Sequence, residues 1–203
     1  MIMTGKILIG CFVVTLFGSV CFAQAPLKKT ELTIADREAW RKVLQWPAEF
    51  EEQWQKSRTD KKSEASGLSV YGLGHGNYLV AIEVQESLYQ PRYVFMYYSE
   101  SGRSNTAPGR LLKFKTYERD DDAAGTVSAK VATEVEGIVS FDDAQKQLVL
   151  YTKGRGIADC GALVRYRIFP NRTMPAEARA HGCYDDYSLG VTDPLRWRKI
   201  KRL

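Results

Sequence analysis

Apolar residues change their spacing once along the chain, from a helical period over residues 33–56 to a period of two from residue 78 onward. Thr33-Ile34-Ala35-Asp36 reads as a capping box, with Thr33 at the cap and Asp36 three residues on. Trp40, Val43 and Leu44 then fall on one helical face. Trp46-Pro47 interrupts the pattern, because proline cannot continue the preceding hydrogen-bond ladder but suits the first turn of a new helix. A second short helix, about Ala48 to Lys56, sets Phe50 and Trp54 one turn apart. Three tryptophans between positions 40 and 54 invite comparison with a sugar-binding aromatic platform. Their helical spacing, with charged residues on the opposite faces, favours rings that fix the helical pair against a sheet.

Residues 57–66 are polar and read as a surface loop. After them Tyr78, Val80, Ile82 and Val84 alternate with Leu79, Ala81, Glu83 and Gln85, a strand with one fully buried face. Tyr93 to Tyr98 is apolar on both faces and suits a central strand. Arg110 to Tyr117 and Val127 to Val135 alternate again around the turn-like Asp120 to Gly125. Ile138 to Phe141 and Gln147 to Thr152 flank a hairpin-style connection. Cys160 opens a further strand with Ala162, Val164, Tyr166 and Ile168 on one face. Strands joined by short turns, without intervening helices, imply antiparallel pairing. The expected class is α+β, with a short N-terminal helical pair packed on a mainly antiparallel β-sheet of six to seven strands. The last forty residues read as loop-rich, tied down by Cys183 and by Trp197 packing on the sheet. No internal repeat or low-complexity segment interrupts the pattern.

The N-terminus changes the picture. Met1 to Lys6 carries one positive charge, Ile7 to Phe22 is apolar, and Ala23-Gln24-Ala25 is a small-x-small exit. This tripartite pattern describes a secretory signal peptide over residues 1–23, followed by a single α+β domain over residues 24–203. The apolar run is short of the roughly 20 residues a membrane span needs. Cleavage after Ala23 is preferred, since cleavage after Ala25 would leave Pro26 first. Leu8-Ile9-Gly10-Cys11 resembles a lipobox, but apolar sequence continues well beyond it; lipidation and an uncleaved anchor are minority readings. A periplasmic or secreted protein is expected, with no stable span after cleavage.

Removing residues 1–23 from the 203 leaves 180, enough for one sizeable core, and the formal charge falls from +5 to +4 with Lys6. That mild basicity does not make the concentrated face of a nucleic-acid binder. Two cysteines remain, Cys160 and Cys183, and an even count in an oxidising compartment implies a disulfide. A zinc site would need about four ligands. Only His75 and His181 could supplement the two thiolates, and neither has the spacing, so neither metal nor cofactor is expected.

Lys153-Gly154-Arg155-Gly156-Ile157-Ala158-Asp159-Cys160-Gly161 resembles a segment of a bacterial exported family catalogued as domain of unknown function 1176. Cys183 and Trp197-Arg198 match a second cysteine and a tryptophan-arginine in that family, so the resemblance covers about the C-terminal third. The upstream cysteines of many members are absent here. The resemblance implies a secreted or periplasmic protein and supplies no activity.

Read from its residues, the same glycine-rich turn offers two possibilities. Backbone amides beside Lys153 and Arg155 could approach an anion, making Lys153, Arg155 and Asp159 binding candidates. Alternatively the glycines permit positive φ in a tight loop, with Asp159 capping a turn or pairing with Arg155; this second reading is preferred. Neither a P-loop nor a dinucleotide fingerprint is completed. Gly67-Leu68-Ser69-Val70 begins like a nucleophile elbow, but Tyr71 stands where the closing glycine belongs. His75 lies between glycines and His181 beside Cys183, both read as loop positions. Asp185, Asp186 and Asp193 lack EF-hand spacing. The basic run Arg196 to Arg202 could touch anionic lipid or wall polymers, although a frayed, solvated terminus is the preferred reading. The resulting expectation is a non-catalytic module that binds another envelope protein or an anionic envelope component, with a hydrolase built on carboxylates or His75 as the alternative.

Overall fold

The computed structural model describes residues 32–60, 65–87, 89–101, 109–119, 127–156, 158–183 and 192–201. The signal-like segment, Cys11, Cys21, the turn at residues 120–125, and Asp185 and Asp186 lie outside them. The described chain is α+β, with two helices near its start and antiparallel strand pairing throughout.

Helix α1 (Ile34–Leu44) starts at the expected capping box, where the Thr33 hydroxyl accepts from the Asp36 amide at 3.3 Å and the Asp36 carboxylate accepts from the Thr33 amide at 2.9 Å. It stops where Gln45 takes a left-handed conformation, φ 55°. Helix α2 (Ala48–Ser57) begins directly after Pro47. Trp40, Trp46 and Trp54 are all buried, so the tryptophan cluster is core and not an exposed platform.

Three layers follow. Sheet A comprises β1 (Leu68–Gly74), β2 (Asn77–Gln85), β3 (Arg92–Ser99), β4 (Gly109–Leu111) and β7 (Glu134–Glu136), with β4 and β7 sharing one side of β3. Sheet B comprises β8 (Ile138–Asp142), β9 (Gln147–Lys153), β10 (Gly161–Phe169), β11 (Arg172–His181) and β12 (Arg198–Lys199). A two-stranded ribbon, β5 (Phe114–Arg119) and β6 (Val127–Ala132), leaves sheet A after β4 and returns at β7. The strands thus exceed the six to seven expected and divide between two five-stranded sheets and the ribbon.

The reason lies in β2 and β3. Val80, Ile82, Val84, Val94 and Met96 pack under the helices with Trp40 and Leu44. Leu79, Ala81, Phe95 and Tyr97 face the other way, onto Leu148, Leu150, Val164, Tyr166 and Ala178 of sheet B. A hairpin apolar on both faces needs cover on both sides, and the second sheet supplies what the helices cannot. Phe114 joins the layers, its ring 5.0 Å from both Phe95 and Tyr166. The expected strand Arg110 to Tyr117 is therefore split at the buried Leu112, and Val127 to Val135 is split between ribbon and sheet A.

The C-terminal region also differs from the loop-rich expectation. Strand β11 is ten residues long, and its arginines and glutamate face outward while Ala178 and Ala180 are buried. Pro175 sits where the β10–β11 register shifts, the place in a sheet where a missing N–H is tolerated. Trp197 packs on the sheet as expected, 5.7 Å from the Tyr151 ring and 5.9 Å from that of His181. The described part of the basic tail, through Lys201, is ordered by pairing: Arg198 and Lys199 pair with Ala180 and Arg179.

Arg37 ties the helices to sheet A from inside. It shares the buried stripe of α1 with Trp40 and Leu44 and is only 1% exposed. Its guanidinium binds Glu51 at 2.8 to 3.0 Å, the carbonyls of Ser66 and Glu83 at 2.9 and 3.0 Å, and lies 3.9 Å from the Trp54 ring. Trp46 donates to the same carboxylate at 2.9 Å. Replacing Arg37 by alanine strands a half-buried carboxylate and two carbonyls. Arg37→Ala should cost about 3–5 kcal/mol, read as a lower urea midpoint at unchanged m-value.

Candidate functional site

The turn from Gly154 to Cys160 joins β9 to β10 and is fixed from three directions. Cys160 and Cys183 form the expected disulfide, with Cα atoms 4.9 Å apart, and Cys160 is fully buried. Gly154 lies against the bond. Its amide donates to the Cys160 carbonyl at 2.9 Å, and a Cβ there would stand 2.6 Å from Cys183 Sγ and 2.8 Å from Cys160 Sγ. Gly161, at φ 136°, would bring a Cβ within 2.0 Å of the Thr152 carbonyl oxygen. Sulfur packing and strand pairing account for these two glycines.

Arg155 Nε donates to Asp159 Oδ1 at 2.8 Å, and a terminal guanidinium nitrogen reaches the other carboxylate oxygen, so the pair is bidentate. Asp159 is 4% exposed, and the hydrogen bonds from Arg155 hold its carboxyl below the usual range. Between them Ala158 takes φ 59°, its amide donating to the Arg155 carbonyl and its carbonyl accepting from Tyr151 at 2.9 Å. The pairing named in the sequence reading is thus present.

The third fixation comes from the β2–β3 connection. The buried side chain of Gln90 acts like one rung of a β-ladder against Lys153. Its Nε2 donates to the Lys153 carbonyl at 2.8 Å, and its Oε1 accepts from the Lys153 amide at 2.6 Å. Beside it, the Tyr89 ring is 39% exposed and lies 5.9 Å from Lys153 Nζ. The outcome is a small surface, tied down by these contacts, carrying one aromatic ring, one lysine and a partly neutralised arginine. Gln90 and Tyr89 were not among the sequence candidates, although the Leu-Tyr-Gln-Pro segment that holds them, just ahead of a strong strand, resembles similar proteins.

The remaining candidates are dispersed. His75 is an exposed residue of the tight β1–β2 turn at φ 53°. Ser69 lies within β1 and not on a strand-to-helix elbow. His181 ends β11 and stacks on Trp197. Asp193 caps a short 3-10 turn, accepting from the Leu195 amide at 2.9 Å. Among the described residues no group of three or more His, Cys, Asp or Glu side chains could hold a metal ion.

One titratable group escaped the sequence reading. Glu83 follows Leu79 and Ala81 on the inward face of β2 and pairs across the ladder with Tyr93. Burial, reinforced by Glu86 and opposed by Arg37, pushes its carboxyl up to about 7. Tyr93 and Tyr71, in the same layer, are pushed up mainly by burial. A carboxyl with this shift can exchange a proton near neutrality.

Comparisons with protein-family models, curated proteins and solved structures found no match to this chain.

Two outcomes test this site. Replacing both Cys160 and Cys183 by serine should cost about 3 kcal/mol, because the bond closes a loop with a sequence separation of 23. Gly154→Ala should cost about 1–3 kcal/mol through overpacking against the sulfurs; chemical denaturation measures both. For Glu83, the unfolded chain loses its proton near pH 4.5 whereas the folded chain keeps it to about 7. Ionisation therefore weakens folding progressively over that window, and the loss is complete above it. Glu83→Gln should leave stability almost unchanged at pH 4 and raise it by about 1–2 kcal/mol at pH 8, after allowing for water's screening of a partly exposed group.

Proposed function

We propose that the protein is an exported, non-catalytic binding module. In this reading the stapled turn presents Tyr89, Lys153 and Arg155 to another envelope protein or to an anionic envelope component. The observation that carries it is that a disulfide, a bidentate ion pair and the Gln90 clasp all hold the described residues of one short surface turn. Immobilised loops on a sheet scaffold lose little entropy when a partner arrives, which favours recognition. Supporting the compartment are the disulfide, the signal-like N-terminus and the resemblance of Lys153 to Gly161 to an exported bacterial family. Among the described residues no helix is long and apolar enough to cross a membrane.

A hydrolase remains the second reading, and Glu83 is the observation that favours it, since a carboxyl titrating near neutrality suits general acid–base work.

A photo-crosslinking amino acid placed at position 89 separates these readings, with position 131, where Val131 is 68% exposed on the ribbon, as the control. The binding reading predicts a discrete adduct in the native envelope from position 89, absent from position 131 and weakened several-fold by Lys153→Ala. Background labelling from position 89 overturns it. So does turnover of peptidoglycan, ester or phosphate substrates by the purified protein that Glu83→Gln abolishes.

A further inference from the structure

Sheet B ends in a cationic edge whose backbone is held in place. Asp193 caps the turn Pro194–Arg196, and Arg179 donates to the carbonyls of both Leu195 and Trp197, the latter at 3.1 Å. The Trp197 ring is 2% exposed, and the Ile200 amide donates to the Ala178 carbonyl at 2.9 Å. On this frame the side chain of Leu195 is 54% exposed, while Arg196, Arg198, Lys199 and Lys201 all reach solvent. Lys199 lies 3.2 Å from Glu177, which Arg179 already engages at 2.7 Å. Arg196, Arg198 and Lys201 meet no acidic partner among the described residues. The nearest described acid in sequence, Asp193, has a carboxylate oxygen on the Leu195 amide.

We propose that this edge seats the protein on a bilayer surface rich in anionic phospholipid, with Leu195 entering below the headgroups and Arg196, Arg198 and Lys201 among the phosphates. Arg196 ends the 3-10 turn, Arg198 lies in the two-residue strand and Lys201 follows it, so the cations are spread along the edge beside one projecting leucine. Such an array suits a fluid surface of diffuse negative charge. A shaped acidic protein socket would instead demand fixed, paired geometry. This surface is separate from the stapled turn, and the inference holds whether or not that turn has a partner.

Vesicle flotation of the purified full mature protein tests it, using phosphatidylcholine alone and phosphatidylcholine mixed with phosphatidylglycerol. Binding is expected only to the mixed vesicles, weakening steeply with added salt. Removing three surface-proximal charges in R196Q/R198Q/K201Q should lower that affinity about a hundredfold. Leu195→Ser should lower it several-fold while keeping the salt dependence. Tyr89→Ala should leave it unchanged, which separates this edge from the turn. Equal binding to both vesicle types, an affinity unmoved by the triple substitution, displacement by excess glycerol phosphate, or capture of an acidic protein without vesicle binding each overturns the proposal. Because the vesicle comparison uses the unaltered chain, a variant that failed to fold would not shelter the proposal from it.

Discussion

The bond between Cys160 and Cys183 constrains the backbone of three strands at one end of sheet B. It joins the start of β10 to the residues just after β11, and β9 reaches it through Gly154. Once the sulfurs occupy that space, position 154 has no room for a side chain and its amide is directed to the Cys160 carbonyl. The turn must then close within a few residues, which places Arg155 opposite Asp159 and Ala158 in a left-handed conformation. A bond of this kind stabilises chiefly by limiting the unfolded chain. Here it also fixes the shape of an exposed turn, and that is the property a recognition surface needs.

Arg37 performs a comparable task at the opposite layer by polar means. A cation removed from water is costly unless its donors are satisfied, and Arg37 meets that condition with Glu51, two well-placed carbonyls and two indole rings. Burial nonetheless lowers its affinity for the proton, the expected sign for a desolvated cation. The carbonyl it takes from Glu83 belongs to the residue whose own carboxyl is pushed towards neutrality. The backbone of Glu83 in β2 thus serves a satisfied buried charge on α1 while its own side chain carries a reluctant one, and the fold tolerates the second because the apolar β2–β3 hairpin is anchored on both faces.

Much of this was legible in the sequence wherever side chains alternate without interruption. The capping box at Thr33, the break at Trp46-Pro47, strands β2, β3, β8, β9 and β10, and the cysteine pair all declare themselves through period or count. Strand β11 does not, because its buried positions are small alanines, Pro175 and a register shift interrupt its alternation, and its outward positions carry arginine and glutamate. The ribbon was hidden for another reason: Phe114 and Val135 continue a strand pattern while the chain changes sheets, and only packing against sheet B reveals the switch. Within the candidate site, the sequence offered the pairing of Arg155 with Asp159 as one of two roles for the acid, yet the need for glycine at 154 depends on where two distant sulfurs meet. Arg37 occupied a position on the α1 stripe that periodicity assigned to the core, and its charge concealed that fact. The basic tail read as frayed because sequence shows its charges, not the Arg179 bridge and Trp197 anchor that order it.

Two surfaces of sheet B, a stapled turn beside an aromatic ring and a cationic strand beside an exposed leucine, are the ones on which the proposed binding role rests. The turn depends on the bond between Cys160 and Cys183. The most direct measurement is thiol alkylation of the denatured, unreduced protein taken from cells, with the modified peptides mapped before and after reduction. The account predicts that Cys160 and Cys183 stay unmodified until reductant is added, in material recovered from the envelope or medium. Alkylation of both cysteines without reductant, or recovery of the chain from the cell interior alone, would contradict it.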